Sequence, residues 1–200
     1  MRSMLRIHFS VCRQRSALLD CAMIRRVGKA VNAPGTNELR MREIYEFTAR
    51  TLKTRRPTPF GALIVESTTG RTLVRATNAV MRENDPSSHA ELRAVRLGCK
   101  ERKSTSLAGF TMYSTCEPCP MCMSNALWAR LDRVVYGATI SDANQHCLQI
   151  KIPAKEVARR SDMECDVEGP VLRELCASLF THPAMQKAFR SWSTRKPSAE

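Results

Sequence analysis

Two short segments constrain this chain more than any other feature of the sequence, because together they carry the residue types that bind a metal ion. The first covers residues 88–91 (SHAE), and the second covers residues 118–122 (PCPMC). We expect a strand or loop to enter a helix at each of them, which allows the two helix starts to converge. A fold for this sequence must therefore bring His89 to the cysteine pair.

One imidazole and two thiolates suit zinc and leave its fourth tetrahedral position open for water, which is the arrangement of a catalytic site. A helix N-terminus also lowers the pKa of a thiol, so we expect Cys119 and Cys122 to be deprotonated. A structural zinc site needs a fourth protein ligand. The nearby candidates, His146 and Cys147, lack the paired spacing of a zinc ribbon. The sequence therefore predicts catalytic zinc at His89, Cys119 and Cys122.

Glu91 follows His89 by two positions instead of four, which makes it a poor second ligand from the same helix face. The same spacing keeps its carboxylate near water on the metal. Zinc lowers the pKa of bound water from about 15.7 to about 7, and a neighbouring carboxylate can accept and return the proton. We therefore predict that Glu91 is the catalytic proton carrier.

The cysteine content agrees with a metal site. The chain has nine cysteines, an odd number, and two of them form a C-x-x-C with a histidine upstream. This pattern favours metal binding in a reducing compartment over a disulfide framework. No apolar run reaches about 18 residues, so the sequence excludes a membrane span on length. We expect a cytoplasmic protein with no membrane partner.

The formal net charge of +13 would attract anionic partners. Much of it belongs to residues 1–36, where seven Lys and Arg face a single acid, Asp20, for a net charge of +6. We set these residues apart as a basic N-terminal extension, which is either a disordered arm, a mis-called start or a targeting segment. Charge alone does not choose between a small substrate and a nucleic acid.

Helices alternate with strands after a turn at residues 34–37. The strong signals predict helices over 39–52, 86–99 and 118–130 and strands over 60–65, 72–77, 110–114 and 133–137. Weaker signals predict a strand over 150–152 and helices over 153–159 and 170–180. This order predicts a single α/β domain over residues 37–182, with helices covering a sheet, followed by a polar tail over residues 183–200.

At its two metal-binding segments the chain resembles the cytidine and deoxycytidylate deaminase superfamily, whose signature is H-x-E followed by P-C-x-x-C. Within that superfamily it resembles bacterial guanine deaminases and related nucleoside deaminases. The resemblance extends over residues 38–180. Its segments are PFGALIV (59–65), NDPSSHAELRAV (84–95), STCEPCPMC (114–122) and LWARLDRVVYGA (127–138).

The resemblance implies a three-layer α/β fold with a mixed sheet of about five strands between helices, and commonly a homodimer. It also implies a zinc-dependent hydrolytic release of ammonia from a nucleobase or nucleoside. The substrate contacts it implies are the side chain of Asn78 and the backbone of Ala90, with Phe60 as a pocket wall. Asn78 can equally be a turn residue, and Phe60 can be ordinary core. We expect Trp128 and Met121 to serve packing or dimer contacts.

The chain departs from the guanine deaminase pattern after Tyr136. Those enzymes carry an acidic FDD-type segment that contacts the purine, whereas residues 141–147 (SDANQHC) offer Asp142 alone. Asp142 can equally be a helix N-terminal residue. Phe189 and Trp192 resemble the aromatic C-terminal residues that close such sites, although a solvent-facing tail helix explains them equally well.

Three functions remain open. Guanine is the first candidate substrate, because residues 115–117 (TCE) and 127–130 (LWAR) resemble the small-molecule branch. The alternative is a tRNA-specific adenosine deaminase, which shares the whole zinc motif and would use the basic charge. The alternative of another class is a catalytically inactive, zinc-stabilised interaction protein. Glu91 argues against that class, because a structural site has no use for an unliganded acid beside the metal.

Overall fold

The computed structural model describes residues 36–193. Its strands are β1 (Gly61–Glu66), β2 (Thr72–Thr77), β3 (Phe110–Cys116), β4 (Arg133–Ala138) and β5 (Asp166–Glu168). The helices are α1 (Thr36–Ala49), α2 (Val80–Glu83), α3 (Ala90–Arg102), α4 (Pro120–Trp128), α5 (Ile140–Asn144), α6 (Ala154–Arg159), α7 (Arg173–Thr181) and α8 (Pro183–Ser193), and a 3-10 turn spans Arg50–Lys53. None of these helices combines the length and apolar character that crossing a membrane requires.

The five strands form one mixed sheet in the order β2-β1-β3-β4-β5. β1 is antiparallel to both β2 and β3, whereas β3, β4 and β5 run parallel. Parallel neighbours need a crossover connection, and α4 supplies it between β3 and β4. This crossover places the loop before α4 at the carboxyl end of β3, next to the start of β1.

Helices cover both faces of the sheet. Successive strand side chains point to opposite faces, so Ala62 and Ile64 of β1 pack on one side while Leu63 and Val65 pack on the other. The first side, which we call the α3 side, includes Ala94, Val95, Met123 and Ala154. The second, the α7 side, includes Met41, Ile44, Cys176, Phe180 and Met185. The predicted three-layer α/β fold with five strands is therefore confirmed.

The predicted fifth strand lies in the wrong place. Residues 150–152 form no strand, and Ile150 and Ile152 are 58% and 44% exposed. The fifth strand is β5, which pairs with β4 and whose acids Asp166 and Glu168 form ion pairs with Arg133. A short acidic edge strand lacks the apolar pattern that identifies buried strands, so the sequence signal was misleading.

The packed part of the chain continues past the expected boundary at residue 182. Residues 183–193, expected to belong to a polar tail, form α8. Met185 and Phe189 lie four residues apart on one face of this helix, and both are buried against the α7 side. The predicted N-terminal extension lies outside the described residues, apart from Thr36, where α1 begins.

Candidate active site

His89, Cys119 and Cys122 converge at one point between the starts of α3 and α4. The Nδ1 atom of His89 is 3.7 Å from the Sγ atom of Cys119 and 3.5 Å from that of Cys122, and the two sulfurs are 3.6 Å apart. Tetrahedral zinc, with Zn–S near 2.3 Å and Zn–N near 2.0–2.1 Å, requires about 3.8 Å between sulfurs and about 3.6 Å from sulfur to nitrogen. The three side chains therefore fit one zinc ion without rearrangement.

The backbone explains this convergence. His89 precedes α3 with extended dihedral angles, φ −67° and ψ 154°, and Cys119 precedes α4 in the same way, with φ −65° and ψ 166°. Pro120 begins α4, where its fixed φ suits the first helical position. Neither of these two side chains caps its own helix, so both are available for a metal ion. Cys122 reaches the same point from the first turn of α4.

The ligand group has three members. Among residues 36–193, His89, Cys119 and Cys122 form a cluster able to hold a metal ion, and no fourth protein ligand joins them. His146 stacks on Phe180, with ring centroids 5.8 Å apart, and the thiol of Cys147 donates to the backbone carbonyl of Ala143. The two residues considered for a fourth ligand therefore have other partners, which agrees with a site open to water.

Glu91 adjoins the ligand cluster without belonging to it. Its Oε2 atom is 3.7 Å from the Sγ atom of Cys122, and its Oε1 atom is 3.2 Å from the hydroxyl oxygen of Ser114. Only 5% of the residue is exposed. This burial raises the pKa of the Glu91 carboxyl, because removal from water disfavours the charged form. A carboxyl beside a metal site whose pKa is raised is a stronger base than an exposed one, which suits a group that accepts a proton and later donates it.

The pKa values of the two ligand thiols move in opposite directions. A hydrogen bond joins the Sγ atoms of Cys119 and Cys122, and it lowers the pKa of Cys119 to about 4. The same bond raises the pKa of Cys122 well above its ordinary value. The bond from His89 to Cys119 raises the pKa of the imidazole. One thiolate is therefore ready for a cation, and metal binding must displace the proton on the other.

The model of the cytidine and deoxycytidylate deaminase zinc-binding region matches residues 34–138. The chain belongs to this family. Guanine deaminase of Bacillus subtilis (strain 168) is 36% identical over 138 residues, which cover 69% of this chain and 83% of that protein. Membership confirms the predicted cofactor and enzyme class: the chain is a zinc-dependent hydrolytic deaminase.

Two further comparisons bear on fold and branch. The tRNA-specific adenosine deaminase of the same Bacillus subtilis strain is 29% identical over 145 residues, which cover 72% of this chain and 86% of that protein. The solved structure of guanine deaminase from Nitrosomonas europaea superimposes with a TM-score of 0.66 at 18% identity, covering 92% of this chain and 99% of that one. At this low identity the structural likeness confirms the fold alone.

The three predicted substrate contacts lie at the same end of the sheet. Asn78 follows β2, and its Oδ1 atom accepts from the backbone N–H of Val80 at 2.9 Å, as expected of a turn residue. The backbone N–H of Asn78 donates to the backbone carbonyl of Phe60. The ring of Phe60 lies edge-to-face with the ring of Phe180, with centroids 5.5 Å apart. Ala90 is buried and begins α3 directly after His89. The geometry is compatible with both interpretations of Asn78 and Phe60.

The carboxylate of Asp142 is bound by Thr139 and Arg173. Its carboxylate accepts from the backbone N–H and the hydroxyl of Thr139, both at 2.9 Å, which caps the start of α5. Two further bonds, at 2.8 and 2.9 Å, join it to Arg173. These partners, with Arg173 contributing most, hold the pKa of Asp142 far below its usual range. The position favours the interpretation of Asp142 as a helix N-terminal residue.

Sequence reasoning missed two buried polar residues at the site. Ser114 contacts Glu91, as described above. The Glu117 carboxylate accepts from the backbone N–H groups of Ile140 and Ala154, at 3.1 and 2.9 Å. It therefore ties the loop before Cys119 to the starts of α5 and α6. The available signal was an acidic residue in an otherwise apolar connection between a strand and a helix. A carboxylate buried there needs hydrogen-bond donors.

Proposed function

We propose that this chain is an aminohydrolase that acts on a free nucleobase or nucleoside, with guanine as the first candidate. The observation that carries the proposal is the buried Glu91 carboxylate beside a ligand cluster with three members. The metal ion, when bound, supplies activated water by lowering its pKa toward about 7. His89, Cys119 and Cys122 hold the ion, and their helix starts fix its position.

Glu91 is the group that moves protons. Its Oε2 atom, on the side of Cys122, accepts a proton from water and passes it to the ring nitrogen beside the amino-bearing carbon. A second proton reaches the departing amine by the same carboxyl, and ammonia leaves as an oxygen takes its place on the carbon. Because burial raises the pKa of Glu91, its carboxylate is a stronger base than an exposed one and can hold each proton between accepting it and donating it.

Three residues are proposed to hold the base. Ala90 begins α3, and its backbone N–H at the positive helix end suits a carbonyl oxygen of the base. The amide of Asn78 follows β2 at the same end of the sheet, and Phe60 supplies an apolar wall. These contacts orient the amino-bearing carbon toward Glu91 without taking part in proton transfer.

One comparison supports a small substrate. The Bacillus subtilis guanine deaminase is more similar to this chain than the tRNA-specific adenosine deaminase of that strain, 36% against 29% identity. The short acidic segment expected to contact guanine is absent, and the carboxylate of Asp142 accepts hydrogen bonds from Arg173. Other purines and nucleosides therefore belong in the same screen as guanine. A tRNA adenosine deaminase remains the second candidate because of the basic charge.

The decisive experiment measures ammonia release by zinc-loaded protein from guanine, adenine, cytosine, their nucleosides and a tRNA anticodon stem. A neutral base should be deaminated at nearly the same kcat/KM between about 50 and about 200 mM salt, whereas a tRNA substrate should bind far more weakly at the higher salt. Ammonia from the tRNA stem alone, with steep salt dependence, would replace the first candidate with the second.

A Glu91→Gln variant tests the proton carrier. It should keep one zinc ion per chain and lose roughly 10²- to 10⁴-fold in kcat, the usual contribution of general acid–base catalysis. The matched control is Glu101→Gln, the same change at an exposed position of α3, which should leave kcat unchanged. Unaltered turnover by Glu91→Gln would remove Glu91 from the mechanism.

We also propose a homodimer and a cytoplasmic location. Trp128 is 73% exposed on α4, and it borders a groove of 610 Å³ between α4 and α6 that Ile152 and Val157 also line. A large exposed aromatic side chain beside an apolar groove is typical of a protein interface. A mass in solution of one chain would refute the dimer.

The cytoplasmic location is supported by the cysteines. The seven cysteines in the described residues are free thiols, as in a reducing compartment.

A further inference from the structure

Ser114 occupies a position where the sheet is otherwise apolar. It lies on β3 two residues after Met112 and four after Phe110, and both of these pack on the α3 side. Side chains two residues apart share a face of a strand, so Ser114 also faces α3. Only 1% of the residue is exposed. A buried hydroxyl is unfavourable unless it forms a hydrogen bond, so its partner identifies its role.

Two acceptors lie within reach of the Ser114 hydroxyl. The Oε1 atom of Glu91 is 3.2 Å away, and the backbone carbonyl of Gly61 on β1 is 3.5 Å away. One hydroxyl hydrogen serves one acceptor at a time. The Glu91 oxygen is the nearer of the two, and a hydrogen bond between oxygens weakens as the distance grows toward 3.5 Å. The hydroxyl therefore donates to Glu91.

This bond distinguishes the two oxygens of the carboxylate. Oε1 is held by Ser114, while Oε2 lies on the side of the metal ligands, 3.7 Å from the Sγ atom of Cys122. The terminal torsion of a glutamate has a broad energy profile, so packing alone fixes it poorly. A hydrogen bond to one oxygen determines which oxygen faces the metal ligands.

Ser114 is also well placed as an anchor. β3 lies at the centre of the sheet, paired with β1 on one side and β4 on the other. A group on a paired central strand is held more firmly than a group on a loop. The hydroxyl of the next residue, Thr115, instead donates to the backbone carbonyl of Pro59 and accepts from the backbone N–H of Gly61. Of these two adjacent hydroxyls, Ser114 is the one that contacts Glu91.

We propose that Ser114 is a positioning residue, which orients the Glu91 carboxylate so that Oε2 faces the metal ligands and the substrate. The proposal rests on the proposed function, in which Glu91 carries protons. It assigns to Ser114 no contact with substrate. Loss of its hydroxyl should therefore lower turnover without weakening the binding of the base or of zinc.

The test compares Ser114→Ala with Thr111→Val, using guanine or whichever base the screen identifies. Thr111 is a matched control because it lies on the same strand, is buried, and bonds to Ser67 away from the site. We expect Ser114→Ala to lose about tenfold or more in kcat, with KM within about twofold and one zinc ion per chain. Thr111→Val should keep the wild-type kcat.

A second measurement separates positioning from general damage. If Ser114 acts through Glu91, Ser114→Ala should cause no further loss in a Glu91→Gln background, as single-turnover rates would show. If Ser114→Ala does not fold, Ser114→Cys, with a weaker donor of similar volume, is measured by the same criteria. Normal kcat, a raised KM with normal kcat, or an additive loss in the double variant would each overturn the proposal. Normal turnover by Glu91→Gln itself would instead overturn the proposed function.

Discussion

The side chain of Glu117 joins three parts of the fold at the edge of the zinc site. Its carboxylate accepts from the first residues of α5 and α6, and its own backbone N–H donates to Ala138 at the end of β4. Only 9% of the residue is exposed. A Glu117→Gln substitution keeps the shape of the side chain but replaces one acceptor oxygen with an N–H₂ donor.

The magnitude of this change follows from the two bonds. In the variant, one backbone N–H keeps an oxygen acceptor, and the other faces a donor with no partner. Losing the ionic character of one bond and leaving a buried donor unsatisfied costs about 2–4 kcal/mol together. In a domain of this size, about 1 kcal/mol lowers Tm by roughly 2–4 °C. We therefore expect Glu117→Gln to lower Tm by roughly 4–16 °C.

Thermal unfolding followed by circular dichroism, with both proteins at the same saturating zinc concentration, measures this shift. Equal zinc is required because ligand binding to the folded state raises Tm by itself. Glu101→Gln, the same chemical change at an exposed site, should move Tm by about 1 °C or less. A Glu117→Gln shift as small as that of the control would refute the idea that Glu117 holds the loop before Cys119.

Two further predictions concern the metal ligands and the packing behind them. Zinc binding at pH 7 should release protons, because the raised pKa of Cys122 keeps its thiol protonated until the ion arrives. Calorimetric titration in buffers of different ionisation enthalpy measures this release. The affinity for zinc should also fall as the pH decreases from 7. Zinc uptake without proton release would contradict the assignment of a protonated thiol to Cys122. Gly137→Ala should destabilise the fold by about 1–3 kcal/mol, because the new methyl group would lie 2.7 Å from the Cβ atom of Cys176 and 3.0 Å from the carbonyl oxygen of Thr115. Urea unfolding would show this as a lower midpoint at an unchanged m-value, and an unchanged midpoint would show that α7 shifts to make room.

The candidate zinc site could be predicted because the sequence pattern that marks it is local. Ligand chemistry is carried by residue type, and the two helix starts that position His89 and Cys119 are marked by the neighbouring sequence. The layer order was predictable for a similar reason, since β1 is buried on both faces and has a continuous apolar run. Both features depend on short stretches of chain. Their patterns can be recognised without knowing which residues they contact in the fold.

Ser114 and β5 were not predictable in this way, because their roles depend on what lies beside them in space. A serine in a strand has no local signal that it faces Glu91 across the α3 side. β5 is acidic, and it pairs at the sheet edge because Arg133 of β4 supplies the opposite charge.

The same reasoning applies to the substrate. The residues proposed to hold a base lie at the ends of β2, β1 and α3, and their common location is a property of the sheet order, which the two zinc motifs do not determine. Related chains can therefore keep one metal site while the pocket around it changes, which is why specificity has to be measured by the substrate screen.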